Sequence, residues 1–477
     1  MKRRWVMIIS LCSFFLGASG VYACFTWFFP IGGVNDAKVQ LEGENPLPNL
    51  EKVSEAYQLI QKLYVEEVDE KNLIQGAIQG MVGTLKDPYS VYMDEATAEK
   101  FDESLDSSFD GIGAQIAIQD GKLVIISPIK NSPAEKAGLK AKDQIIKIEG
   151  ESVEGLDLYQ ASKRIRGKKG TVVKLEIIRS GLPKPMTIEI TRDEVPLLTV
   201  FSEVKESSGE KIGYIEITSF ARDTAKDFST ELKHLEEQDI AGLIIDVRGN
   251  PGGMLTSVEG ILLELATGAK PYIQIEERSG KKSTYFSELK EEKPYPITVL
   301  IDEGSASASE ILAAALQEIN GYSLIGKRTF GKGTVQQALP LEGGGNIKLT
   351  MAKWLTPDGN WIHGKGIAPT IDVRQPAYYY SHALQLEEPL VLDMNNENVK
   401  IAQELLQGLG YGPGRTDGYF DKQTENAVRA FQSMEKLPIT GQVNEETAVK
   451  LDEKIEELVQ NEKNDLQLQV ALKTILQ

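Results

Sequence analysis

At 477 residues the chain exceeds what one hydrophobic core usually organises, and with 41% hydrophobic, 26% charged and 7% aromatic residues it is neither a disordered nor a fibrous sequence. A formal net charge of −18 argues against a general nucleic-acid binder, because phosphate contacts need clustered Lys and Arg. Both cysteines, Cys12 and Cys24, fall in an apolar N-terminal stretch, so the body of the chain is expected to lack disulfides, cysteine metal sites and thiol redox chemistry.

Lys2, Arg3 and Arg4 precede an uncharged run from Trp5 to Ile31 that is long enough to span a bilayer with the N-terminus inside. Residues 1–35 are expected to be a membrane anchor, ahead of a cleaved signal segment. A lipoprotein site at Val21–Cys24 ranks third, because Tyr22 is bulky for processing. Residues 36–108 form a linker and a helical region, with apolar spacing at Val53, Tyr57, Ile60 and Leu63 and again at Leu73, Ile74, Ala77, Ile78 and Met81. Residues 109–195 read as a compact β-rich unit. Residues 196–390 alternate strands and helices as an α/β core does, with helices predicted over 224–237, 254–265 and 308–319. A helical unit with Gly-rich turns follows at 391–452. The tail, 453–477, reads as one more amphipathic helix with Leu458, Leu466, Leu468, Ala471 and Ile475 available for burial.

Three loops of the α/β region carry residues able to do chemistry. In Gly304–Glu310 small residues crowd a strand-to-helix turn, where free amides and the helix dipole favour developing negative charge. Ser305, Ser307 and Ser309 are equal candidates for a nucleophile there, and a Ser-rich helix cap is the plainer explanation of that segment taken alone. In Gly331–Gln337 a Gly-flanked Lys332 follows a strand; a lysine deprotonates serine only when neutral, and burial favours the neutral form. Gln336, four residues on, is a neutral partner for that amine. The third loop, Asp246–Gly253, ends in paired glycines whose N–H groups, with the amide of Ala308, would form an oxyanion site. His234, His363 and His382 lie outside these turns in the sequence, which weakens a Ser/His reading. Gly326–Lys332 also fits the start of a phosphate-binding loop, but position 333 is Gly where Ser or Thr should hold magnesium, and no helix is predicted after it.

Together these segments resemble the carboxyl-terminal processing peptidases, serine peptidases with a Ser/Lys dyad and an inserted PDZ domain. The likeness rests on Asp87-Pro88-Tyr89-Ser90, Gly111–Ala114, Arg248–Gly253, Ser305–Glu310, Thr329–Gln336, Thr356–Gly359 and Gly366–Pro369, in the family's order. The resemblance, and not the physical reading, selects Ser307 as nucleophile. It implies Lys332 as the base, Gln336 as its support, and an oxyanion hole from Gly252 and Ala308, on a ClpP/crotonase-like α/β core that needs neither metal nor cofactor. Within 109–195, Gly111, Ile112, Gly113, Ala114 and Gln115 look like the loop and strand with which PDZ domains hold a peptide's terminal carboxylate. Arg166, in a basic cluster after the predicted PDZ helix, is the candidate for coupling peptide binding to assembly of the active site, through polar groups near Gln336.

Residues 398–451 resemble a three-helix peptidoglycan-binding module, through Leu409-Gly410-Tyr411, Asp417–Phe420, Phe431-Gln432 and Thr440-Gly441 among others. Glycan binding and dimerisation are equally weighted uses for it. The resemblance as a whole implies an extracytoplasmic endopeptidase of the bacterial cell envelope, tethered to the membrane and homodimeric. Its substrates would be polypeptides with apolar C-termini, in regulated proteolysis of the kind some relatives perform during spore formation. The rivals are a catalytically idle PDZ and cell-wall scaffold, and a crotonase-like acyl transfer enzyme.

Overall fold

In the computed structural model the described residues are 50–477, less 120, 180, 181, 183 and 382 and the side chain of 159. The expected anchor at 1–35 therefore lies outside them; among the described residues no helix is long and apolar enough to cross a membrane. The chain forms two compact units, one containing residues 50–95 and 336–350, the other 96–335 and 351–477.

In the first unit, helices α1 (Leu50–Leu63) and α2 (Glu70–Gly83) precede strand β1 (Val91–Met93). The Asp69 side chain caps α2 by accepting from the Asn72 amide at 3.1 Å. Helix α1 buries none of its side chains, leaving Leu50, Val53, Leu59, Ile60 and Leu63 exposed. The Asp87-Pro88-Tyr89-Ser90 turn is tied by the Asp87 carboxylate, which takes the Ser90 hydroxyl at 2.6 Å and the Tyr89 amide at 3.0 Å.

The second unit opens with α3 (Glu95–Leu105) and the β-rich insert: β2 (Ser108–Gly111), β3 (Ala114–Gln119), β4 (Lys122–Pro128), α4 (Pro133–Lys136), β5 (Gln144–Ile148), β6 (Glu151–Ser152), α5 (Leu158–Ile165), β7 (Val172–Ile178), β8 (Met186–Thr191) and β9 (Asp193–Pro196). Its antiparallel sheet runs β3-β4-β5-β7-β8, which leaves β3 at an edge. Alternate residues of β7, Val173, Leu175 and Ile177, are fully buried, as a strand with one covered face requires. The two ends of the insert are joined by antiparallel pairing of β2 with β9, Phe109 opposite Val195.

The α/β core follows with β10 (Val200–Ser207), β11 (Glu210–Ile217), α6 (Thr224–Glu236), β12 (Gly242–Asp246), α7 (Leu255–Leu265), β13 (Ile273–Glu277), β14 (Lys282–Tyr285), β15 (Ile297–Ile301), α8 (Ala308–Asn320), β16 (Ser323–Gly326), β17 (Thr334–Pro340), β18 (Asn346–Leu355) and β19 (Ile371–Asp372), residues 336–350 of β17, β18 and the turn between them belonging to the first unit. Six strands lie in the order β10-β11-β12-β15-β16-β19, parallel from β11 onward. Strands β12 and β15 are buried at every position, the expected state of parallel strands covered on both faces. One face packs on α6, α7 and α8 through Leu232, Leu262 and Leu316. The chemistry-bearing loops leave the carboxyl ends of β12, β15 and β16, where open parallel sheets place ligands. Strand β17 follows the Lys332 loop where a phosphate-binding loop would need a helix.

The C-terminal helices α9 (Glu397–Gly408), α10 (Lys422–Met434) and α11 (Glu445–Gln460) are capped by Asn396, Asp421 and Asn444, each accepting an amide of the first turn. Two buried glutamines hold the turns between them: Gln403 accepts from the Gly418 amide at 3.0 Å, and Gln432 from the Gly441 amide at 2.9 Å. The tail departs from the expected single helix. Helix α11 stops at Gln460, a 3-10 turn covers Glu462–Asn464, and a separate α12 spans Leu466–Thr474. Asp465 forces the restart by capping α12, accepting from the Leu468 amide at 3.0 Å. Leu468, Ala471 and Ile475 are buried as expected, against Ile212, Ile244, Leu300 and Ile325 on the sheet's second face, while Leu466 is exposed.

Candidate active site

Between β15 and α8 the chain turns so sharply that Ser307 sits at φ 55°, ψ −110°, a conformation costly for any residue with a Cβ. The three serines of this turn are differently placed. Ser305 and Ser309 are fully buried, their hydroxyls donating to the carbonyls of Val247 at 2.8 Å and Asn250 at 2.9 Å. Ser307 alone of the three is partly exposed. Ala308 is the first residue of α8, where helical geometry supplies no intrahelical acceptor for its amide.

The strained turn is held by Glu310, whose side chain is fully buried. Its Oε2 accepts from the Ser307 amide and from the Lys332 amide, each at 2.8 Å. Its Oε1 accepts from the Thr329 hydroxyl at 2.6 Å and the Gly331 amide at 2.7 Å. A carboxylate offers about four lone-pair sites, so these four donors satisfy it. Because one oxygen serves both amides, the backbones of Ser307 and Lys332 are brought within two hydrogen-bond lengths of each other. Sequence reading included Glu310 in the motif without giving it a role. The available signal was its place three residues after Ser307 at a helix start, the spacing of a capping box.

The lysine loop is pinned from its other side. The Trp354 indole donates to the Lys332 carbonyl and the Trp361 indole to the Gly333 carbonyl, both at 2.8 Å. His363 stacks on Trp361 with ring centroids 5.2 Å apart, and its amide would lie only 2.8 Å from a Cβ placed on Gly333. A histidine distant from the turns in sequence thus has its backbone beside the lysine loop in space.

The Gly-Gly loop meets the serine turn directly. A Cβ on Gly252 would lie 2.9 Å from the Ser307 Cβ and 3.1 Å from the Ala308 amide nitrogen, so only glycine fits there. Asn250, fully buried, organises this loop: its side-chain amide donates to the Ile217 carbonyl at 2.7 Å, and its carbonyl accepts from the Ala306 amide at 3.0 Å. The Gly252 amide donates to Asn250 Oδ1 at 2.9 Å, so an oxyanion would have to compete with that side chain for it.

Gln336 lies on β17 in the other compact unit and donates to the Thr350 hydroxyl at 3.3 Å. In the insert, Gly111, Ile112 and Gly113 lead into edge strand β3, which Ala114 and Gln115 begin, with α5 beside it. The Gly113 carbonyl is held by the Ser132 hydroxyl at 2.8 Å. Arg166, at the end of α5, pairs with Glu103 of α3 at 2.7 Å and lies over the Phe109 ring, 4.7 Å from its centroid.

Four family profiles match the chain: peptidase family S41 over residues 211–373, a PDZ domain over 104–178, the N-terminal domain of the activating protease CtpB over 14–97, and a peptidoglycan-binding domain over 395–451. The carboxy-terminal processing protease CtpB of Bacillus subtilis (strain 168) is 52% identical over 478 aligned residues, covering 100% of this chain and 99% of that protein. CtpA of the same organism is 42% identical, covering 89% of this chain and 90% of CtpA. Among solved structures, the photosystem II D1 C-terminal processing protease is 25% identical, covering 69% of this chain and 94% of its own, at a TM-score of 0.42. With a buried carboxylate joining a serine turn to a lysine loop and relatives alike over nearly their whole length, the chain belongs to peptidase family S41, as a carboxy-terminal processing serine protease with a PDZ domain and a C-terminal peptidoglycan-binding domain.

Proposed function

We propose that the chain is an endopeptidase working through a Ser307/Lys332 dyad outside the cytoplasm. Ser307 Oγ attacks the scissile carbonyl while the neutral Lys332 amine takes its proton. The proton passes to the departing amine, and water then releases the acyl group by the same route in reverse. The amides of Ala308 and Gly252 stabilise the oxyanion, with Gly252 released from Asn250 as the site engages substrate. Gln336 steadies Lys332. The observation that supports this reading most is Glu310, whose one oxygen gathers the amides of both proposed dyad members.

The PDZ loop from Gly111 to Gln115 receives an apolar peptide C-terminus, which adds a strand to the free edge of β3 and raises activity. Substrates are envelope polypeptides, among them a sporulation signalling protein, reached from a membrane anchor at residues 1–35. The exposed apolar face of α1 suits a homodimer. The domain limits follow the sequence reading: 36–108, 109–195, 196–390, 391–452 and 453–477.

Hydrolysis of unfolded casein by the chain, set beside Ser307→Ala, Lys332→Ala and His363→Ala, tests the dyad. Activity should vanish in the first two and persist in the third. Loss in His363→Ala with retention in Lys332→Ala would replace the lysine with a histidine base, and an inactive wild type, even with apolar C-terminal peptides added, would favour a scaffold.

A further inference from the structure

The loop that carries Asn250 and Gly252 begins at Arg248, and Arg248 is gripped from the far C-terminus. Its guanidinium donates to both oxygens of Asp465, at 3.0 and 2.8 Å, and to Gln467 Oε1 at 3.0 Å. On its other side it meets both oxygens of Asp246, the last residue of β12, the shortest of these bonds being 2.6 Å. Arg248, Asp246 and Asp465 keep 17%, 5% and 13% of their side-chain surface. An enclosed ionic triad stabilises little by itself relative to apolar packing, and its most defensible use is to fix a single arrangement. Gln375 completes the grip by donating to Asp465 Oδ1 at 2.6 Å.

What this arrangement fixes is the path of the chain two residues before Asn250. The Asn250 side chain holds the Gly252 amide, and the Asn250 backbone carbonyl holds the Ala306 amide one residue before Ser307. Asp465 lies outside the segment matched to family S41, which ends at 373, and outside the peptidoglycan-binding match, which ends at 451. It also caps α12, whose apolar side, Leu468 and Leu472, covers the sheet independently of the ion network.

We propose that Asp465 is a positioning residue of the active site: through Arg248 it sets the Gly249–Gly253 loop against Ser307, so that the C-terminal segment is a working part of the peptidase as well as a cover for its sheet. The proposal rests on the peptidase reading above. The test uses the full-length chain in mild detergent and measures kcat and KM on casein together with Tm for Asp465→Asn, Asp465→Glu and Leu472→Ala. A misplaced loop should lower kcat by about tenfold or more in Asp465→Asn at temperatures well below its Tm, with KM changed by less than about twofold and partial rescue in Asp465→Glu. Leu472→Ala, which loosens the same helix without touching Arg248, should lower Tm and leave kcat near wild type. Wild-type kcat in a folded Asp465→Asn chain overturns the proposal, as does a loss of kcat in Leu472→Ala that follows Tm in the same way. If Asp465→Asn does not fold, Gln467→Leu removes one acceptor from Arg248 and must show a smaller kcat loss in the same direction, or the proposal fails. Wild-type activity that survives Ser307→Ala would instead sink the peptidase reading itself, a separate outcome.

Discussion

The serine turn and the rim of the PDZ loop are both glycine turns beside a helix, but they are held in opposite ways. Around Ser307 the holding group is one enclosed carboxylate with all four of its acceptor sites filled from two segments of chain, the serine turn itself and the Thr329–Lys332 loop. The PDZ loop also has a buried tie, the Ser132 hydroxyl on the Gly113 carbonyl, but the charged groups of its rim pair at the surface: Arg166 with Glu103 at 38% and 47% exposure, and Lys169 with Asp193 at 59% and 50%. The insert does contain an enclosed pair, Arg179 with Asp143, but that pair clips the end of β7 to the start of β5. Enclosed polar groups cannot exchange a partner for water without a large penalty, whereas exposed ones exchange freely. Under the proposed function, the difference would give rigidity to the chemistry and adjustability to the charged rim of the PDZ loop.

Glu310→Ala should have the largest effect. It strands four donors, those of Thr329 and Gly331 buried and those of Ser307 and Lys332 partly so, so folding stability should fall by about 3–5 kcal/mol, and casein hydrolysis should fall by about a thousandfold or more even where the chain stays folded. Denaturant midpoints and rates measured on the same preparation separate the two losses. A Glu310→Ala chain with near wild-type turnover would mean that the serine turn keeps its geometry without the carboxylate.

Acid should expose a second, smaller dependence. Burial pushes the Asp465 carboxyl up, but the Arg248 guanidinium, joined by the Leu468 amide and the Gln375 side chain, outweighs it and holds the group below the usual carboxylate range. A carboxylate with a depressed folded-state pKa contributes stability that is complete above its unfolded pKa and is lost as pH falls through the folded one. The wild-type chain should therefore lose Tm more steeply than Asp465→Asn as pH drops below about 4. Parallel acid limbs in the two chains would show that the Arg248 network is energetically idle.

How much of this was legible in the sequence follows from how local each cause is. The caps at Asp421 and Asn444, the alternation in β7 and the continuous apolar runs of β12 and β15 are set by neighbouring residues, so those elements could be read directly. The break in the tail is not legible because a polar stretch of about one turn, Asn461 to Asp465, is tolerable within an exposed helix, and only its partners on the core reveal it as a restart. Glu310 could be seen as a cap, but its other donors come from Thr329, Gly331 and Lys332 and exist only after folding. The same holds for His363, delivered to the lysine loop by stacking on Trp361, and for the pairing of β2 with β9, which joins residues more than eighty positions apart.

At the PDZ rim the loss of stability should be small and the loss of response large. Arg166→Ala removes an exposed ion pair with Glu103 and a cation over the Phe109 ring, worth together on the order of 1 kcal/mol of stability. If the PDZ rim is an adjustable receiver, this variant should keep its fold and its basal casein hydrolysis while losing most of the stimulation given by an apolar C-terminal peptide. The guanidinium bridges the end of α5 to α3, the helix that leads into the insert, so a peptide lying along α5 would be sensed there first. Peptide titrations of wild type, Arg166→Ala and Glu103→Ala decide the matter. Equal loss of stimulation in both variants identifies the pair as the coupling element. Full stimulation in both would leave the PDZ rim as a passive surface, with its coupling to the core carried elsewhere, for example by the β2–β9 pairing at the ends of the insert.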